Sequence, residues 1–487
     1  AGTSIGLGDL PLNMVVSKNK KWMAVSNNGQ SNQSIQLIDV QKGKVSDSVT
    51  IPKSWYGLAF GKNDQKLYAS GGNDNWIMTY QIKMGKLVLK DSILLGGKWP
   101  IAISPAGLAI DNVHDVLYTV TKENKKLYTI NLIKNKVTDS IPLPAEAFTC
   151  VLSKDLKTLY ISVWGGGSVV AFDVTTKTFT TTYKVGSNPN ELILNKSNSL
   201  LYVANSNDNS VSIIDLKKNE VIETLNAALF PNAPAGSTTN GLSLSDDEKT
   251  LYIANADNNC LAVFDVSMKG TSVSRGFIPT GWFPTSVRTI GKTIYVANGK
   301  GFTSMANPYG PDPYKKRAQL GYQMGVIKKN GNKDGQYIGG LFVGSLSIIN
   351  TPSAKQLAQY SKMVYENTPY NKESETHSDA TSDSPIPNTL GKSSPIKHVF
   401  YIVKENRTYD QILGDVKEGN GDPELCLFGE NITPNQHALA KEFVLLDNFY
   451  VNGEVSADGH NWTLGGYATD YLEKTWPTSY GAVSYTH

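Results

Sequence analysis

A serine, an aspartate and a histidine stand close together in the stretch "NGEVSADGHNW", residues 452–462. A serine hydroxyl is a poor nucleophile at neutral pH and needs a metal ion or a base to hold its alkoxide form. His460 follows Ser456 by four residues, so on a helix the two side chains share a face, and His460 could act as a proton donor or contact the group that the serine attacks. Asp458 fits better as a residue that caps or orients the turn. Because Ser, Asp, Gly and Asn are also ordinary turn residues, the stretch alone allows either a nucleophile or a polar turn.

A second polar group, Glu405 and Asn406, lies at the carboxyl end of a continuous apolar run, Val399 to Val403. Such a run is typical of a strand buried on both faces in a parallel α/β sheet. Ligands bind at the carboxyl ends of the strands in open sheets of this kind. The alternative is that the pair only begins a helix, where the helix dipole favours an acidic residue.

The elements between these two groups also favour an α/β unit. The segment "TPNQHALAKEF" (433–443) predicts a helix with Thr433 as N-cap and Pro434 at the first position. The segment "VLLDNFYV" (444–451) predicts a second strand, and the stretch with Ser456 follows it. A helix that begins near Ser456 would point backbone N–H groups at a phosphate.

A different pattern fills the chain before residue 350. An aromatic residue followed by small or β-branched residues recurs about every 42 to 50 residues, in "KWMAVSNNG" (21–29), "KLYASGGND" (66–74), "VLYTVTKEN" (116–124), "TLYISVWGG" (158–166), "LLYVANSND" (200–208), "TLYIANADN" (250–258) and "KTIYVANGK" (292–300). Each copy has alternating apolar and polar runs separated by polar turns, as expected for antiparallel strands. Seven copies of this length predict a mainly β protein with a seven-bladed β-propeller, with six or eight blades as near alternatives. A long insertion, 299–343, interrupts the seventh copy.

These copies resemble the YVTN-type propeller repeats, most clearly in "LYVANSNDNSVSIIDL" (201–216). The resemblance covers about residues 8 to 350 and is specific for fold, whereas propellers host binding, scaffolding and catalysis alike. The tyrosine is expected to fill the space between blades, and the asparagine to tolerate turn geometry.

The chain divides into three predicted parts: a propeller over 1–351, a helix and polar linker over 352–395, and an α/β domain over 396–487. In the second part, Leu357, Tyr360, Met363 and Val364 have the spacing of an amphipathic helix packed on a neighbour. The following residues, 371–395, have almost no large apolar side chain, which is typical of a linker, and a solvated role is expected for His377 within them.

Composition excludes several classes of protein. The formal net charge is +3 and no dense Lys/Arg run occurs, which argues against a nucleic-acid surface. Three distant cysteines indicate neither a disulfide framework nor a thiolate metal site. No apolar run is long enough for a transmembrane segment, and "AGTSIGLGDL" at the start lacks the features of a signal peptide. His114 is the only histidine in the repeats, so a multi-histidine site in the propeller is not available.

The order of strand, "KENRTYD", "TPN" helix, strand and "NGEVSADGHNW" resembles the start of a phosphoesterase domain of the alkaline-phosphatase superfamily, in the branch of bacterial phospholipase C and acid phosphatase enzymes. The resemblance implies that Ser456 is the nucleophile and that Glu405, Asn406 and Ser456 are metal ligands. It implies a divalent ion of unspecified identity (Zn, Mg, Mn or Ca) that would also polarise a phosphoryl oxygen. The superfamily takes further ligands from later strands, so they are expected beyond residue 487, and the α/β domain is expected to be incomplete in this chain.

Two functions follow as hypotheses. The first is a metal-dependent phosphoric-ester hydrolase in which the propeller positions the substrate or a partner. The second is a non-catalytic propeller scaffold or binding module that holds a protein partner on its face or at the 299–343 insertion. The resemblance implies export, to the periplasm, the outer membrane or the exterior of a bacterium.

Overall fold

In a computed structural model of the chain, the structure describes residues 1–29, 32–98, 100–301, 343–368, 381, 383–389, 391–453 and 455–479. Seven four-stranded antiparallel sheets form the part before residue 351. The predicted seven-bladed propeller is therefore confirmed, and the six- and eight-bladed alternatives are wrong. His377 and most of the predicted insertion, residues 302–342, lie outside the described residues.

The first six blades are built from consecutive strands. Blade 1 contains β2 (Pro11–Val16), β3 (Trp22–Asn27), β4 (Ser34–Asp39) and β5 (Lys44–Thr50). Blade 2 contains β6 (Leu58–Phe60), β7 (Lys66–Ser70), β8 (Trp76–Lys83) and β9 (Lys86–Leu94). Blade 3 contains β10 (Pro105–Asp111), β11 (Val116–Thr121), β12 (Lys126–Asn131) and β13 (Lys136–Pro142). Blade 4 contains β14 (Cys150–Leu152), β15 (Thr158–Val163), β16 (Ser168–Asp173) and β17 (Thr178–Lys184). Blade 5 contains β18 (Pro189–Leu194), β19 (Leu200–Asn205), β20 (Ser210–Asp215) and β21 (Glu220–Asn226). Blade 6 contains β22 (Thr239–Leu244), β23 (Thr250–Asn255), β24 (Cys260–Asp265) and β25 (Val273–Pro279).

The seventh blade joins the two ends of the repeat region. It contains β26 (Pro284–Ile290), β27 (Thr293–Asn298), β28 (Ser345–Asn350) and β1 (Thr3–Gly6), the first strand of the chain. Strand β1 pairs antiparallel with β28, with Thr3 opposite Ile348. The first and last parts of the repeat region thus share one sheet, which closes the ring and leaves no blade incomplete.

The repeated aromatic residues pack between blades, as predicted. Tyr202 of blade 5, for example, is 2% exposed and lies in one apolar cluster with Leu242 and Ile253 of blade 6. All seven are buried, namely Trp22, Tyr68, Tyr118, Tyr160, Tyr202, Tyr252 and Tyr295. Each blade therefore buries an apolar face against its neighbour, which is how radial repetition builds a core.

Two details of the repeat differ from the prediction. Asn205 does not occupy a turn: it ends β19, and its Nδ2 donates to Ser210 Oγ at 3.0 Å and Ser212 Oγ at 2.9 Å. In blade 1 the equivalent asparagine is Asn27, so Ala24 takes the place of the tyrosine and Trp22 lies two residues earlier. Because side chains two residues apart on a strand share a face, Trp22 still fills the space between blades.

Antiparallel connectivity fixes which loops lie together. Connections alternate between the two ends of a meander, so the turns between second and third strands and the connections between blades share one face of the propeller. We call this the docking face. The described ends of the connection between β27 and β28, residues 299–301 and 343–344, belong to it, because these are the second and third strands of blade 7.

The predicted amphipathic helix is confirmed as α1 (Ala354–Glu366). Leu357 and Tyr360 pack on a cluster of blades 6 and 7, and Val364 joins that of blades 5 and 6, whereas Met363 is 47% exposed. The helix sits on β25, where Ser361 Oγ accepts a hydrogen bond from the Phe277 N–H at 2.8 Å.

Among the described residues, the chain forms two compact units. The first combines the propeller with α1 up to Val364 and with residues 453–479, which contain α4 (Ser456–Gly465) and α5 (Asp470–Ser479). The second, within 365–452, contains α2 (Tyr409–Leu413), a 3-10 turn (Pro423–Leu425) and α3 (Pro434–Glu442). No described helix has the length and apolar character to cross a bilayer.

The helix predicted from Thr433 and Pro434 is therefore confirmed, but the two strands predicted at 399–403 and 444–451 are wrong. Residues 391–453 contain no strand, and Phe400 and Val451 are 90% and 81% exposed. A strand buried on both faces needs paired neighbours and two covering layers. The described residues of the second unit supply short helices and loops and no sheet, so an α/β phosphoesterase domain is not shown.

Candidate functional site: the docking face and its bound segment

Ser456 lies at the start of a helix, as the sequence predicts. Helix α4 begins at Ser456, after an extended Val455. His460 is one turn later in the same helix and both side chains are half-buried, whereas Asp458 between them is only 2% exposed. The first turn of a ten-residue helix carries backbone N–H groups without helical partners. The arrangement is compatible with a nucleophile beside a phosphate and leaves the role of Ser456 a prediction.

Glu405 and Asn406 belong to the second unit, whereas Ser456 belongs to the first. Both are exposed, and Asn406 Nδ2 donates to Glu405 Oε1 at 3.2 Å. They do not begin a helix: Asn406 has a left-handed φ of 64°, and the cap of α2 is Thr408. Within the described part of the chain, no three or more His, Cys, Asp and Glu side chains are arranged to hold a metal ion. The described residues therefore do not form the metal centre that the resemblance implies.

The segment with Ser456 is anchored on the docking face through Asp470. The Asp470 side chain is 1% exposed, and its Oδ2 accepts hydrogen bonds from Trp164 Nε1 at 3.3 Å and Ser206 Oγ at 2.8 Å. The Asp470 N–H donates to Asn207 Oδ1 at 3.0 Å. Trp164 follows β15 of blade 4, and Ser206 and Asn207 follow β19 of blade 5. One residue at the start of α5 thus binds two neighbouring blades.

Lys474, one turn further along α5, extends this anchor to a third blade. Its Nζ pairs with Asp470 Oδ1 and donates to Asn240 Oδ1 of blade 6 at 3.0 Å. The same ammonium lies 4.9 Å from the centre of the Phe148 ring, within the range of a cation–π interaction. Both side chains of the ion pair are largely buried, 13% exposed for Lys474 and 1% for Asp470, so each charge depends on these partners.

Aromatic side chains complete the surface under α5. Trp164, Phe148 and Tyr56 form a buried cluster, with ring centres 5.9 Å apart for Phe148 and Trp164 and 4.5 Å apart for Tyr56 and Phe148. Tyr471 of α5 lies against Trp164 with ring centres 4.8 Å apart. The docking face therefore binds this helix through apolar, aromatic and charged contacts together.

None of the sequence patterns described above indicates these anchoring residues. A signal was present in "TLYISVWGG", where Trp164 stands four residues after the tyrosine position. The other copies hold small or polar residues there, namely Asn28, Gly72, Lys122, Ser206, Ala256 and Gly299. A second signal was the pair Asp470 and Lys474 at i,i+4. Neither pattern indicates that the segment with Trp164 contacts the segment with Asp470 and Lys474.

In the second unit, one buried contact carries a pH dependence. His437 is 1% exposed; its Nε2 lies 2.8 Å from Asp415 Oδ1 and its Nδ1 lies 2.9 Å from the Thr433 carbonyl oxygen. Burial is the largest single effect and would lower the pKa of His437, but the hydrogen bonds to Asp415 and to the Thr433 carbonyl, with the nearby carboxylate charges, together outweigh it and the pKa is raised. The hydrogen bond from His437 in turn lowers the pKa of Asp415 to about 2.

We expect the stability of the second unit to be greatest between these titrations. The protonated His437 contributes to the free energy of unfolding in full below about pH 6.5, the pKa of histidine in the unfolded chain. This contribution is lost as the pH rises through the raised pKa of the folded state. The ionised Asp415 contributes to the free energy of unfolding in full above about pH 3.9, the ordinary pKa of aspartate. This contribution is lost as the pH falls towards 2. Hydrogen exchange of residues 409–442 at several pH values would measure this. His437→Gln should flatten both limbs, whereas Glu442→Gln, at an exposed position of the same helix, should leave them; an unchanged profile in His437→Gln would contradict this account.

The fold and the anchored segment define the class: a seven-bladed β-propeller scaffold whose docking face binds a later segment of its own chain. The family described as lactonase, 7-bladed beta-propeller, matches residues 125–235. Comparison with curated proteins gave no significant match.

Several solved structures share the propeller. Hydrazine synthase of Kuenenia stuttgartiensis is 17% identical with a TM-score of 0.51, over 61% of this chain and 95% of that one. The structure of U3-55K is 11% identical with a TM-score of 0.53, over 71% and 98%. The WD40 repeats of RRP9 are 11% identical with a TM-score of 0.52, over 71% and 97%. At these identities the likeness shows the fold alone.

Proposed function

We propose that this protein is a phosphoric-ester hydrolase of the phosphatase or phospholipase C type, in which the propeller positions the segment that carries the nucleophile Ser456. The observation that carries the proposal is the position of Ser456 at the first residue of α4, in a segment tied to three blades through Asp470 and Lys474. A nucleophile must be held close to its reactive geometry, and anchoring to a rigid scaffold supplies this.

In this proposal Ser456 Oγ forms a bond to phosphorus while the ester oxygen leaves. His460, one turn away, is the candidate group that takes the hydroxyl proton of Ser456 and gives it to that oxygen; water then attacks the phosphoserine, which restores the serine hydroxyl and releases the phosphate product. The N–H groups of the first turn of α4 bind a phosphoryl oxygen. The divalent ion that the superfamily resemblance implies would stabilise the serine alkoxide, with Glu405, Asn406 and Ser456 as its ligands. The described residues do not assemble that centre.

The test is hydrolysis of chromogenic phosphate monoesters and diesters by the full chain. We expect Ser456→Ala to lower the rate by about a thousandfold or more, because the covalent step is lost. Thr463→Ala, at an exposed position of the same helix, is the matched control and should retain the rate. A chelator should also remove activity if the implied ion takes part. Turnover that survives both Ser456→Ala and the chelator would exclude this assignment.

A second candidate is a non-catalytic scaffold or binding module. It is favoured by the lack of an assembled metal centre among the described residues. It is also favoured by the docking face, which binds a segment through apolar, aromatic and charged contacts. In this case no phosphate ester would show turnover that depends on Ser456. For either function we propose a periplasmic, outer-membrane-associated or extracellular location.

A further inference from the structure

Glu473 on α5 is half-buried as a residue, but its carboxyl group lies in surroundings that do not neutralise a charge. Its Oε2 atom is buried and has no hydrogen-bond partner. The neighbouring charged residues Asp470 and Lys474 pair with each other and form hydrogen bonds to the propeller. Their charged groups are therefore already engaged with partners other than Glu473. Burying an ionised carboxyl without a partner is costly, and the usual response is to bind a proton.

Charged groups of both the propeller and the segment 456–479 act on Glu473. Asp257 projects from blade 6, after β23, and Lys300 from blade 7, after β27; Asp458 belongs to α4, and Asp470 to α5 itself. Three of these four groups are carboxylates, and only Lys300 favours the ionised form. Burial first, and then the repulsion from Asp257, raise the pKa of Glu473 well above its ordinary value, against the opposing effect of Lys300.

We propose that protonation of Glu473 is a switch that docks the segment 456–479 on the propeller at acidic pH and releases it as the pH rises. The inference concerns docking alone, and it stands whether or not the chain hydrolyses phosphate esters. If the hydrolase proposal holds, the switch controls when the Ser456 helix is held against the docking face.

The direction follows from proton linkage. An undocked, solvated Glu473 titrates near pH 4.3, whereas the docked residue keeps its proton to higher pH. Docking is therefore strongest below about pH 4.3 and weakens by about tenfold for each further pH unit, until the docked carboxyl itself ionises. Above that point the docking equilibrium levels off at its weakest value.

The test is hydrogen exchange of peptides from 456–479 in the full chain between pH 5 and 8, corrected for the intrinsic exchange rate. In the wild type we expect the opening equilibrium to rise by about tenfold per pH unit over part of this range. Glu473→Gln mimics the protonated residue and should be protected at every pH. Glu442→Gln, an exposed glutamate of the second unit, is the matched control and should behave as the wild type.

A second variant keeps the test decisive if Glu473→Gln folds poorly. Asp257→Asn removes the repulsion from blade 6 and so lowers the pKa of the docked Glu473; the opening equilibrium should then level off at a lower pH and at a smaller value than in the wild type. Exchange in β19 reports whether the propeller remains intact in each variant. Wild-type protection that does not change with pH, or a Glu473→Gln variant that keeps the wild-type slope, would overturn the proposal. Loss of hydrolysis without a change in exchange would affect only the function proposed above.

Discussion

Replacing Arg288 with leucine is expected to lower the free energy of unfolding of the propeller by about 3–5 kcal/mol. The guanidinium group donates to Glu191 Oε1 of blade 5 at 2.6 Å, to Asn13 Oδ1 of blade 1 at 3.0 Å and to the Met14 carbonyl oxygen at 2.7 Å. The Arg288 side chain is 18% exposed and that of Glu191 7%. Arg288 itself comes from blade 7 and also donates to the Leu242 carbonyl oxygen of blade 6 at 3.3 Å. One side chain therefore joins four blades, and its removal leaves the Glu191 charge buried.

The double variant Arg288→Leu with Glu191→Leu is the control, measured by urea denaturation beside each single change. Because it removes both charges together, it should recover much of the stability lost in the single variant. Arg288→Lys should restore only part of it, since an ammonium group cannot reproduce the planar set of donors. A single Arg288→Leu variant within about 1 kcal/mol of the wild type would show that the cross-blade contacts contribute little.

The second large effect is expected at Trp164. This side chain is fully buried, contacts the Phe148 and Tyr471 rings and donates to Asp470. Trp164→Ala should cost about 3–5 kcal/mol, because it leaves a large cavity under α5. It should also free residues 470–476 for hydrogen exchange, since it removes both an aromatic and a polar contact of that helix.

Trp164→Phe separates these contributions. It keeps most of the apolar volume and loses the indole N–H, so we expect a cost of about 1 kcal/mol and a largely intact contact between α5 and the docking face. Denaturation and hydrogen exchange of both variants would test this. Equal exchange of residues 470–476 in Trp164→Ala and the wild type would mean that the segment is held by other contacts.

The sequence predicts the propeller well because the information is repeated. Each copy places an aromatic such as Tyr202 two positions from other inward-facing residues, and seven copies specify one architecture. In blade 1 the sequence alignment placed Trp22 opposite the tyrosines of the other copies, although Ala24 is the equivalent residue. The error arises because Trp22 lies on the same face of the strand as Ala24. Alignment on aromatic residues cannot distinguish positions that differ by the strand period of two.

The strands predicted at 399–403 and 444–451 show the limit of a local pattern. An apolar run indicates that a segment can be buried. Burial also requires neighbouring strands and covering layers, which the run itself does not specify. Phe400 and Val451 remain exposed in the described structure for lack of such a sheet. The anchoring of α5 was missed for a related reason: Asp470 and Ser206 are separated by 264 residues, and no spacing in the sequence joins them.

The central claim is that the docking face of the propeller holds the segment that carries Ser456. Its most direct test is a distance measurement by pulsed electron spin resonance between labels at Thr175→Cys on blade 4 and Thr463→Cys on α4, in a Cys426→Ser background; Cys150 and Cys260 are buried and should not react. At acidic pH we predict one narrow distance distribution in the full chain, which broadens when Trp164→Ala is added. A broad distance distribution without a dominant peak in the labelled protein that retains Trp164 would contradict the claim.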